Sequence, residues 1–129
     1  MLIQIPISPG ELLDRISILE LKLERIGQSD SVANVRRELE LLSRKGRAVA
    51  LGAPEVPSLK LALDEVNRTL WEAENRLRAL EQRQDFGESF VATARSVYQT
   101  NDRRAALKRS INELLHSPLR EEKCYASGS

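Results

Sequence analysis

The sequence has one cysteine, Cys124, and one histidine, His116. An internal disulfide is therefore excluded, and the usual Cys and His sets of structural zinc cannot be assembled, so neither a metal nor a cofactor is expected. Aromatic residues make up only 4% of the chain. That scarcity points to a core of Leu, Ile, Val and Ala and favours packed helices over a sandwich or barrel. The six glycines are scattered, so no glycine-rich loop could cradle a phosphate. Walker, dinucleotide-binding, nucleophile-elbow, zinc-protease and EF-hand patterns are all missing, which argues against the common ATPase, dehydrogenase and hydrolase classes. No run reaches the ~18 apolar residues of a membrane span. The opening MLIQIPIS has no basic n-region and too short an apolar stretch for a signal peptide, so a soluble cytoplasmic protein without a membrane partner is expected. An excess of either charge is also lacking: 20 basic residues against 19 acidic ones leave +1. Such a chain has no global field to gather nucleic acid.

What is present is 129 residues with 41% hydrophobic and 30% charged content, enough for one domain over residues 1–129. The helix signals are strong. Ser8 is placed to cap a helix with Pro9 at its first position, Glu11 three residues on has capping-box spacing, and Ile7 and Leu12 have the spacing of a hydrophobic staple. Leu12, Ile16, Leu19, Leu23 and Ile26 then follow in steps of four and three until Gly27, predicting a helix from about Pro9 to Ile26. After a turn at Gln28 to Asp30, the stripe Val32, Val35, Leu39, Leu42, Gly46, Val49 predicts a second helix folded back on the first. The expected organisation is a helical hairpin over about 9–50, a loop over 51–58, further helices over about 59–116 and a short tail over 117–129. Ser58 is the expected cap of the third run, Leu59, Leu63, Val66, Leu70, Ala73, Leu77 and Leu80. Asp85 and Glu88 have capping-box spacing for the next. The fold expected is all-α, an antiparallel bundle of four to five helices with coiled-coil-like packing and a short extended N-terminal segment.

Two features ask for burial beyond a simple bundle. Ile18 and Leu21 lie opposite the main stripe of the first helix, making it either the central helix or an interface helix. Ile3, Ile5 and Ile7 alternate along a segment that reads as a lone strand with an unpaired edge. A second copy of the chain could satisfy both.

The last helical run starts with Phe90, Ala94 and Val97 and continues in phase through Asn101, Arg104 and Lys108 before Ile111 and Leu115. A polar middle in an apolar seam means either a break near Thr100 to Asp102 or one helix of about 28 residues with polar groups on its inner face. The continuous helix is preferred. Asn101, Arg104, Lys108 and Asn112 share a face there, with Tyr98 nearby. Groups of this kind need carboxylates, water or a ligand when buried. The third helix offers Asn67, Trp71, Glu74 and Arg78, and the first offers Asp14 and Glu20 as acids. These residues are candidates for a cleft that holds an anionic small molecule through Arg104 and Lys108, with Trp71 or Tyr98 as a flat wall. The competing reading, weighted above it, is an internal salt-bridge and amide network that fixes helix register. His116, near a helix end and without an evident partner, reads as a capping or surface residue rather than a base. Arg95, Arg103, Arg104, Lys108 and Arg109 face only Asp102 over Val91 to Asn112. With no aromatic series among them, a solvated face outweighs RNA or phosphate binding.

The segments GELLDRISILELK (Gly10 to Lys22), NRTLWEAENR (Asn67 to Arg76), ARSVYQTNDRRAALKRSIN (Ala94 to Asn112) and EEKCY (Glu121 to Tyr125) resemble an uncharacterised family of short bacterial proteins, a domain of unknown function. The resemblance spans nearly the whole chain and implies a bacterial-type cytosolic protein, with no activity to carry over. Absence of catalytic signatures, near-zero charge and long apolar stripes together predict a non-enzymatic adaptor or regulatory protein. It is expected to self-associate as a homodimer and to contact a further protein. A small-molecule enzyme or binding protein is the alternative, and local RNA binding the third.

Overall fold

Capping chemistry opens the first helix where the sequence places it. The computed structural model describes residues 1–27, 30–119 and 122, and among them are four helices: α1 (Pro9–Arg25), α2 (Asp30–Ala50), α3 (Val56–Gln82) and α4 (Glu88–Leu114). Ser8 is the α1 N-cap, its Oγ accepting from the Glu11 N–H at 3.1 Å, and Pro9 occupies the first turn. The reciprocal half of the capping box is absent among the described residues, because the Glu11 carboxylate accepts instead from Arg15 and Lys108. Ile7 packs on the core cluster that contains Leu12. Residues 1–8 carry no regular secondary structure.

Two other starts differ from expectation. α3 begins at Val56, not after a Ser58 cap: Pro57 is accommodated in the first turn, where a missing N–H costs nothing, and the fully buried Val56 anchors the start in the core. α4 is capped by Gly87 without a side-chain bond, while Asp85 turns its carboxylate onto the Gly87 N–H at 3.2 Å. The polar middle does not break α4, which is continuous through Thr100 to Asp102. Of the turn expected at Gln28 to Asp30, Asp30 already belongs to α2, and the other two positions lie outside the described residues. So do Glu121, Lys123, Cys124 and Tyr125 of the EEKCY segment.

α1 and α3 each pack against all three other helices, whereas α2 lies on α1 and α3 and does not pack on α4. The core is Leu12, Leu13 and Ile16 of α1 with Val56 and Leu63 of α3 and Ile111 of α4. Gly46 is the only fully buried residue of α2, and the Ile16 side chain occupies the space where a Cβ would stand. Leu41, also on α2, remains 58% exposed. Among the described residues no helix is long and apolar enough to cross a membrane.

Both long helices end in a pattern that normally recruits glycine. After α3 the Gln84 N–H bonds the Glu81 carbonyl and the Asp85 N–H bonds that of Leu80; after α4 His116 bonds Glu113 and Ser117 bonds Asn112. These are Schellman motifs. Their left-handed positions fall on Gln84 (φ 55°) and His116 (φ 52°), where a Cβ is disfavoured. His116 is thus exposed at a helix terminus, in line with the capping reading. Replacing Gln84 by Gly is expected to raise stability by up to ~1 kcal/mol, because relief of the left-handed strain exceeds the entropy cost of glycine; urea unfolding of the two proteins measures it.

Candidate functional site

A second face of α1, opposite its main apolar stripe, carries Gly10, Glu11, Asp14 and Ser17 in steps of one, three and three. This face meets the polar stretch of α4 and the middle of α3. Asp14 is 1% exposed. Its Oδ1 accepts from Asn67 Nδ2 at 3.0 Å and from Arg104 Nε at 2.9 Å, and its Oδ2 accepts from the other arm of the same guanidinium. The fork therefore grips the carboxylate in a bidentate pair, the geometry that best offsets the desolvation of a buried ion pair. Asn67 also donates to Ser17 Oγ at 3.0 Å. One α4 turn on, Lys108 donates to Glu11 Oε2 at 2.6 Å and lies 3.9 Å from Asp14 Oδ2. Two cations thus stand against two carboxylates.

The cluster also completes the start of α1. Pro9 has no N–H, Ser8 satisfies Glu11 and Leu12, and the Gly10 N–H donates to Asn112 Oδ1 at 2.8 Å. Here glycine is required, since a Cβ on Gly10 would run into the Lys108 carbonyl oxygen. Asn112 is 1% exposed, and its Nδ2 has no hydrogen-bond partner among the described residues. Burial pushes the Glu11 carboxyl up, but hydrogen bonds and charge from Lys108 and Arg15 outweigh it and hold the group below the usual value of 4.5.

Of the ten residues expected at a site, Asp14, Asn67, Arg104, Lys108 and Asn112 converge here. Glu20 does not: it pairs with Lys60 at 2.7 Å on the α1–α3 rim, where Lys60 also binds Asp64. Burial lowers the Lys60 pKa, yet these two carboxylates raise it overall. Tyr98 is 62% exposed and outside the cluster. Asn101 is half-buried and makes no side-chain bond among the described residues. Trp71 and Glu74 lie elsewhere, beside a groove of about 340 Å³ that runs from Ile18 and Leu21 along α3 and reaches Asn67 and Arg104. Glu74 and Arg78 do not pair there, although their spacing would permit it. The carboxylate facing Lys108 is Glu11, which capping-box spacing marks only as a cap; its i, i+3 relation to Asp14 is the signal in the sequence. Among the described residues no group of three His, Cys, Asp or Glu could hold a metal.

Comparison with known proteins places the chain in a family of unknown function, DUF6165, whose model matches residues 3–128. The chain belongs to that family. No curated protein and no solved structure matches it.

Asp14→Ala would leave Arg104 and Asn67 without their shared acceptor and is expected to cost ~3–5 kcal/mol. Urea unfolding of Asp14→Ala, Arg104→Ala and the double variant should give strongly non-additive losses. The depressed Glu11 value sets the sign of a pH effect. Its stabilisation is complete above the unfolded carboxyl range and is lost as pH falls through the lower folded value. Glu11→Gln should therefore flatten the fall in stability between pH 5 and the acid limit, read from unfolding midpoints across that range.

Proposed function

We propose that this protein is a helical adaptor or regulatory subunit that works through contacts with other protein chains, first with a second copy of itself, and catalyses no reaction of its own. The observation that carries this reading is the placement of its apolar surface. Leu2, Ile3 and Ile5 are 83, 76 and 62% exposed and stand with Leu41 around a groove of about 970 Å³. Contiguous apolar surface of this kind marks contact with another chain. The buried polar groups support the same view, because the Asp14, Glu11, Arg104 and Lys108 charges are directed at each other. A cytoplasmic location fits such a role.

Light scattering behind size exclusion should show a dimer whose fraction rises with concentration in the micromolar range. A strictly monomeric protein at high micromolar concentration would overturn the reading.

One observation favours the alternative, a binding protein for an anionic small molecule. The groove beside Trp71 reaches Arg104 and is rimmed by Arg78, which has no ion-pair partner among the described residues, and its size falls at the small end of ligand pockets. In that reading Trp71 walls the ligand and Arg78 takes its anionic group.

A further inference from the structure

We propose that the groove between the N-terminal segment and α2 is filled by the N-terminal segment of a second copy, the two arms extended and antiparallel across a two-fold axis. This rests on the self-association reading above and adds where and how the copies meet. The groove has the resident arm, Leu2 to Ile7, along one side and α2, with Leu41, Leu42 and Val49, along the other. Its own arm does not close it. The side chains of Leu2, Ile3 and Ile5 stay exposed while the groove beside them is open, and the backbone of residues 1–7 makes no hydrogen bond among the described residues. Two lacks thus occur together: apolar walls without a filling, and an arm without cover or backbone partners.

A second arm supplies both. Entering antiparallel beside the first, it offers backbone donors and acceptors to the unpaired edge over Leu2 to Ile5; Pro6, lacking an N–H, limits the ladder there. An extended segment of six residues spans ~20 Å, while Leu41 to Val49 rises ~12 Å along α2. The arm is therefore long enough to line that face. Charge fits as well. Met1 to Ile7 contains no charged side chain, and among the described residues the charged ones lining the groove are Arg15 and Lys45, so the incoming arm buries no ionised side chain of its own. The arrangement also closes on itself. Because the arm is both the wall of its own groove and the filling of its partner's, one two-fold operation covers both grooves and both arms, which defines an isologous dimer.

The test compares sedimentation equilibrium of the wild type, Ile3→Lys/Ile5→Lys, and Leu61→Lys as a control on an exposed apolar residue of α3 (67% exposed). Ile3 and Ile5 are exposed in the single chain, so their replacement should leave helicity unchanged by circular dichroism. The expected result is a wild-type dimer, at least 30-fold weaker association of the arm variant, and no change for Leu61→Lys. A wild-type dimer unaffected by the arm charges overturns this interface and leaves self-association standing. A wild-type monomer overturns both. As a second readout, Leu2→Cys, Ile3→Cys, Gln4→Cys and Ile5→Cys are oxidised one at a time in a Cys124→Ser background. Rapid disulfide dimers should form at the position nearest the axis, where the Cα atoms come within disulfide reach, and Leu61→Cys should form none. Equal, slow cross-linking at every position would overturn the antiparallel pairing.

Discussion

The bidentate pair of Arg104 with the buried Asp14 carboxylate is the contact on which the arrangement of three helices depends. A carboxylate 1% exposed is tolerated only if nearly every lone pair is occupied, and here the occupants come from α3 and α4. Sliding α1 by one residue would turn Asp14 away from the guanidinium and strand both charges. Ion pairs of this type add little net stability over a well-packed apolar substitute, but they penalise misregister steeply. The seam of α4 is polar in its middle for this reason.

The same contact set explains the start of α1. Asn112 accepts the Gly10 N–H, so an orphan donor of α1 is satisfied by a side chain of α4 rather than by a local cap. Glycine at this position permits the approach of the two backbones. Lys108 and Glu11 sit one turn further along, and the exposed pairs of Lys60 with Glu20 and Arg68 with Glu24 continue along the α1–α3 rim. Exposed pairs contribute little individually. The buried group and the rim differ in kind: one fixes register, the other solvates an edge.

Apolar surface is distributed unevenly by this design. Because α1 spends both faces on α3, α4 and α2, it leaves α2 a peripheral helix packed on one side. The N-terminal arm then passes over the α1–α2 end with its large side chains uncovered. The polar interior is paired within the chain except at Asn112 Nδ2, which has no partner among the described residues, while uncovered apolar surface faces outward.

The all-helical class, the start of α1 and the continuity of α4 are legible in the sequence because they follow from local rules: capping geometry, proline at a first turn, and apolar spacing of three and four. The convergence of Asp14, Asn67, Arg104, Lys108 and Asn112 was legible in outline, since polar residues at seam positions must find partners. Which partners they find was not. Glu11 as the carboxylate opposite Lys108, Asn112 on the Gly10 amide, and the separation of Trp71 and Tyr98 from the cluster depend on how the helices cross, and crossing is a property of packed pairs. Gln84 and His116 escaped for a related reason. Their left-handed backbone is imposed by the closing hydrogen bonds of the helix end, which a non-glycine residue does not announce. The sequence by itself therefore determined what each helix must bury, and only the tertiary structure decided against what, because burial is written along one chain while partnership is settled between chain segments brought together in space.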